Sequence, residues 1–136
     1  MKVAFTTEDG KHVDSHFGWA KKIAIYDVYP DHSDFVGCTE FSGNLAENGN
    51  EDKLGAKLEA IKDCAILYVA AIGGSGAARV VAKNVHPVKV AETEKIESIL
   101  SQLQRVLSGN PPPWLRKALH KGQERTIDFE NGVIYG

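Results

Sequence analysis

Cysteine is scarce in this chain. Cys38 and Cys64 are its only thiols among 136 residues, and no Cys-x-x-Cys occurs. That argues against a disulfide framework, and against a closed zinc cage of four cysteines or of two cysteines and two histidines. Long apolar runs are missing too. The longest, Ala65 to Ile72, is far too short to span a bilayer. Met1-Lys2 leads at once into Val3-Ala4-Phe5, with no apolar leader segment, so the expectation is a soluble cytoplasmic protein without a membrane partner. Nor is there an excess of one charge. Sixteen Lys and Arg stand against eighteen Asp and Glu, a net charge of −2, which gives no electrostatic footprint for nucleic acid. Catalytic signatures are absent as well. The first strand-like run carries no acid, where a two-metal nuclease needs paired carboxylates. No Gly-x-Ser-x-Gly elbow and no Gly-Lys-Ser/Thr phosphate loop is present. Nothing in these residues calls for an enzyme.

What remains is an ordinary globular balance, 43% hydrophobic and 25% charged, in a length suited to one domain with a real core. Val3 and Phe5 alternate with Ala4 and Thr6 in a first strand over Lys2 to Thr7, and Glu8-Asp9-Gly10 reads as a turn. A second strand runs from Lys22 to Tyr29. A third, from Phe35 to Phe41, is interrupted by Gly37. Short links between the three predict an antiparallel meander.

The pattern then changes. Ser42 to Asn50 reads as a loop, and Asn50 as the cap of a helix from Glu51 whose apolar face carries Leu54, Leu58 and Ile61. Ala65 to Ile72 has the continuous apolarity of a strand covered on both faces. Gly73-Gly74-Ser75-Gly76 turns into a second helix bearing Ala77, Ala78, Val80 and Val81. Pro87 to Val90 is a fifth strand. Thr93 to Leu107 is the clearest helix, with Ile96, Ile99, Leu100, Leu103, Val106 and Leu107 on one stripe. Pro113 suits the first turn of a short helix through Leu119. Three strands followed by alternating helices and strands predict an α/β, ribonuclease H-like three-layer fold, a five-stranded mixed sheet flanked by helices. The domain is expected over residues 1–120. Residues 121–136 read as a polar tail, or as a hairpin of Thr126 to Phe129 with Val133 to Tyr135.

Two stretches could carry chemistry. His12-Val13-Asp14-Ser15-His16-Phe17-Gly18 sets two imidazoles, a carboxylate and a hydroxyl in one loop. Neutral imidazole is the commonest metal ligand, and a carboxylate can orient it. Ordinary loop histidines beside local Asp and Ser turns are the other reading. Gly73 to Gly76, between a strand and a helix, leaves backbone N–H groups for an anion, or is simply a tight turn. It is no dinucleotide fingerprint, because Arg79 stands where a third glycine belongs. Cys38, Cys64 and His86 read as structural. Arg79, Arg116 and Lys117 are cations of exposed type.

Several stretches together carry a resemblance. They are Met1 to Phe5, Asp14 to Ala20, Gly49 to Leu54, Asp63-Cys64-Ala65, Ala70 to Ser75 and Gly109-Asn110-Pro111-Pro112-Pro113-Trp114-Leu115. Over residues 1 to 120 the chain resembles the dinitrogenase iron–molybdenum cofactor biosynthesis family. The Ser-His-Phe-Gly loop marks the group, and the Asn-Glu-Asp-Lys-Leu and Pro-Pro-Pro-Trp-Leu stretches narrow it to one branch. The resemblance implies a ribonuclease H-like fold without nuclease activity. It implies a carrier that binds an iron–sulfur precursor cluster of the iron–molybdenum cofactor and works with NifB and the NifEN scaffold. His16 is then the expected ligand contact and metal-binding residue, in a motif with Ser15, Phe17 and Gly18. Gly73, Gly74, Ser75 and Arg79 would hold the outer face of an anionic cluster, provided both loops meet at one edge of the sheet. His12 lies outside the motif. A protein–protein adaptor that binds no cluster is the alternative.

Overall fold

The computed structural model describes residues 1–41, 54–91 and 93–119. The Asn50 cap, the 42–50 loop and the C-terminal hairpin expected above lie outside them. Seven strands are present among the described residues: β1 (Lys2–Thr7), β2 (His12–Val13), β3 (Lys22–Val28), β4 (Ser33–Glu40), β5 (Ile66–Val69), β6 (His86–Lys89) and β7 (Glu94–Lys95). A single 3-10 turn, Phe17–Trp19, precedes β3. The helices are α1 (Gly55–Ile61), α2 (Gly74–Ala82) and α3 (Ile96–Ser108), and a further helical segment covers 113–119.

Five strands form one mixed sheet in the order β4-β3-β1-β5-β6, the expected arrangement. The meander is antiparallel, with β1 matched to β3 from Lys2↔Asp27 to Thr7↔Lys22. β1 then pairs in parallel with β5, and β5 with β6. β1 is central because it is apolar on both pleat faces. Val3 and Phe5 face one layer, with Ile66 and Tyr68 of β5, and pack under α3 and Leu115. Ala4 faces the other, with Leu67 and Val69, against Leu58 and Ile61 of α1 and Val80 of α2. The result is three layers, helices on both faces of the sheet. Phe5 stacks on Tyr68 with ring centroids 5.3 Å apart, and Tyr26 meets it edge-on at 5.7 Å. Full burial of each such side chain contributes roughly 1.5–3 kcal/mol.

Most strand ends shift by one to three residues from the sequence reading, and three differences have a clear physical cause. β4 begins at Ser33, because a tight reversal closed by Tyr29 N–H donating to the His32 carbonyl (2.8 Å) brings the chain back early. Its irregularity is a bulge: Ile25 faces Gly37 and Tyr26 faces Phe35, which leaves Val36 between them unpaired. α3 starts at Ile96 instead of Thr93, because Glu94 and Lys95 form a two-residue ribbon with His12 and Val13. Finally, Gly74 to Gly76 are not a turn before α2 but its first helical residues, with Gly73 outside as the cap. Asn84, at φ 62°, adopts the left-handed conformation that stops the chain just past α2.

Candidate functional site

Position of the His16 turn begins with Thr6, on the central strand. Its buried hydroxyl donates to the Ser15 carbonyl at 2.8 Å. That same carbonyl accepts from Ala70 N–H at 3.1 Å, and Phe17 N–H donates to the Ala71 carbonyl at 2.8 Å. His16 therefore lies beside Ala71 as a short parallel bridge that prolongs the sheet beyond β5. Phe17 follows with no solvent exposure and sinks into the apolar layer with Ile23, Leu58 and Val80. Its side chain is a wedge in the core.

The chain then makes its 3-10 turn. His16 caps it: Gly18 N–H donates to Nδ1 at 2.9 Å, and Trp19 N–H to the His16 carbonyl at 3.0 Å. A Cβ on Gly18 would lie 3.4 Å from the imidazole, so this position is tight against the ring. The Gly18 carbonyl accepts from Lys57 Nζ at 3.0 Å. Lys57 is buried on α1 and passes its ammonium 5.5 Å from the centre of the Phe41 ring. The turn is thus fixed from the sheet, from the core and from α1.

Asp14 and Ser15 brace the turn. Ser15, 7% exposed, donates its hydroxyl to Asp14 Oδ1 at 2.9 Å, and Glu8 N–H donates to the same oxygen at 3.0 Å. His12 is engaged elsewhere. Its Nδ1 lies 2.6 Å from Asp9 Oδ2, and it sits in the ribbon with Lys95. The backbone N–H of Lys11 and then the His12 ring and backbone N–H hold the Asp9 carboxyl far below the usual carboxylate range. The two histidines therefore serve different turns. Among the described residues no three His, Cys, Asp or Glu side chains gather as a metal set.

The glycine-rich stretch does come to the same place. Gly73 follows directly on the residues that hold the turn, and Gly76 is packed so closely that a Cβ there would lie 3.4 to 3.7 Å from Ile72, Leu54 and Phe17. Gly73, Gly74 and Ser75 are exposed, and Gly73 offers no side-chain cap. The N–H groups of the first turn of α2 thus have no acceptor within their own helix. Arg79 is half-buried one turn beyond Ser75, on the same strip of the helix.

The structure thus brings together His16, Gly18, Gly73 to Gly76 and α2, with Ser15 and Phe17 beneath them as supports. Cys64 is buried in the core, Cys38 is exposed on β4, and His86 stacks on Trp114 at 4.4 Å. Lys57 was not anticipated. Its signal was available, since position 57 falls on the apolar face with 54, 58 and 61, an odd place for a lysine without a partner.

The family model described as dinitrogenase iron-molybdenum cofactor matches residues 1–106. The chain is 61% identical over 133 residues to Protein NifX of Herbaspirillum seropedicae, an overlap that takes in 98% of this chain and 91% of that one. It is 39% identical to Protein NifX of Rhodobacter capsulatus over 98% of this chain and 88% of that protein. Among solved structures, the crystal structure of PH0822 superposes with a TM-score of 0.60 over 76% of this chain and 88% of that one, at 20% identity, a likeness of fold alone.

Proposed function

We propose, from the premise that this chain belongs to the dinitrogenase iron-molybdenum cofactor family, that it is a non-catalytic carrier in the maturation of that cofactor. Its cargo is an iron–sulfur precursor cluster, held transiently and exchanged with the NifEN scaffold, with NifB as a further partner.

The observation that carries this reading is the joining of two loops. The His16 turn is bonded to Ala70 and Ala71, and the chain runs from there into the exposed N-terminus of α2. One imidazole and the backbone N–H groups of a helix first turn, which have no acceptor within their own helix, therefore flank the same sheet end. An anionic cluster fits those groups, because helix N-termini favour negative charge and an N–H donor bonds more strongly to a charged acceptor. Arg79 lies in the last turn of the same helix, on the strip that carries Ser75. A carrier has to release what it binds, and an open arrangement with one ring and several backbone donors holds its cargo less permanently than a closed thiolate cage does.

Anaerobic loading with an iron–sulfur precursor tests the reading. The wild-type chain should keep a coloured, iron-containing species through gel filtration, and His16→Ala should lose most of it. Equal iron in His16→Ala removes His16 from the role. No retention by the wild type leaves the adaptor as the surviving reading.

A further inference from the structure

The His16 ring is already committed on one side. Gly18 N–H points at Nδ1 from 2.9 Å. A backbone N–H can only donate, so Nδ1 can only accept, and its lone pair is engaged. A neutral imidazole carries one N–H, which then belongs to Nε2. Ligation of iron by Nε2 requires the opposite form, with the proton on Nδ1, where it would oppose the Gly18 N–H. Turning the ring over removes the same bond. The Gly18 N–H itself is held in place. Phe17 before it is fully buried with its N–H bonded to the Ala71 carbonyl, and Lys57 donates to the Gly18 carbonyl.

From this geometry we infer that His16 meets its cargo as a hydrogen-bond donor through Nε2–H, to a sulfide or an anionic oxygen, and not as a ligand to iron. The inference rests on the carrier reading and specifies how that carrier grips. Hydrogen bonds to cluster sulfurs are a recognised way in which a protein tunes and holds such a group. The mode also suits exchange, because handing the cluster on breaks no metal–nitrogen bond. Gly18 becomes a positioning residue: it fixes which nitrogen bears the proton.

Two measurements test this, one without cargo. In protein labelled with nitrogen-15 at histidine, the two-bond proton–nitrogen correlation of His16 should show a protonated Nε2 and a bare Nδ1. A protonated Nδ1 overturns the inference. The second uses a synthetic four-iron, four-sulfide cluster with thiol end ligands, loaded anaerobically on the wild type, His16→Gln, His16→Asn and His16→Ala. Glutamine keeps an N–H donor at about the reach of Nε2 and is a poor iron ligand. Asparagine keeps the acceptor for Gly18 N–H, so it should fold as the wild type does, but it lacks the outer donor. Retention by His16→Gln should stay within about threefold of the wild type, while His16→Asn and His16→Ala fall by about tenfold or more, the cost of one bond to a charged partner. If glutamine fails as fully as alanine while the wild type retains cluster, His16 is a metal ligand: this inference falls and the carrier reading stands. If the wild type retains nothing, the carrier reading falls and takes the inference with it.

Discussion

Phe17 anchors the His16 turn from inside the core. Its side chain is fully buried beside Ile23, Leu58 and Val80. Phe17→Ala should cost about 3–5 kcal/mol, as large-to-small changes in close-packed cores do, measured by urea denaturation. Thr6→Val isolates a polar contribution at the same place. It removes the 2.8 Å hydrogen bond to the Ser15 carbonyl and should cost about 1 kcal/mol. Amide exchange at residues 15 to 18 should quicken in both variants. At this scale the sequence was partly legible. His16 and its neighbours stood out as a dense polar cluster, but the separation of His12 from His16 did not. Spacing cannot say that Asp9 takes one imidazole while Gly18 N–H takes the other. Lys57 stands on the apolar face of its helix, which signals a partner, but spacing cannot say that the partner is the carbonyl of residue 18.

Elements with a long period were read well, and elements without one were missed. The apolar run Ala65 to Ile72 and the stripe on α3 gave a central strand, observed as Ile66–Val69, and a helix, because burial of whole faces imposes those repeats. The β2–β7 ribbon has two residues on each side, too few to show any alternation, and it took Glu94 and Lys95 from the predicted helix. The first turn of α2 was read as a loop because glycine usually interrupts helices. Here Gly76 lies inside the helix against Phe17, Leu54 and Ile72, with room for a Cβ but for little more. Two substitutions separate propensity from space. Gly76→Ala meets its neighbours at 3.4 Å or more and should change stability by less than about 1 kcal/mol, with the helical preference of alanine in its favour. Gly76→Val adds two further carbons where Phe17 and Ile72 stand and should cost about 1–3 kcal/mol, as over-packing does. Thermal unfolding of the pair checks both signs.

Across the whole molecule, two titrations shape the response to acid. The Trp114 ring covers one face of the His86 imidazole, and that partial burial pushes the group below its ordinary 6.5. The folded state then takes up its proton later than the unfolded chain does. Stability from this site is complete above the ordinary histidine value and declines as pH falls through the window just beneath it. Trp114→Ala should move the His86 midpoint upward in a proton NMR titration. Asp9 acts lower on the scale. Its carboxyl is held far below the usual range, so its contribution is present above that range and disappears as pH drops below it. Asp9→Asn should flatten the acid limb of the stability profile, read by denaturation at a series of pH values.

The order of strands also has a consequence in time. β1 can join β3 and β4 as a local hairpin meander, but its other edge stays open until residues 66–69 arrive to form β5. His16 waits for the same event, since the turn that carries it is fastened to Ala70 and Ala71. Contacts between residues so distant in sequence form slowly, because the intervening loop must close before they offset its entropy. The meander can therefore exist early without the His16 turn in its final form. That turn is completed only when the parallel half of the sheet closes, so a chain still emerging from the ribosome cannot set the imidazole in place before the second half of its own fold has formed.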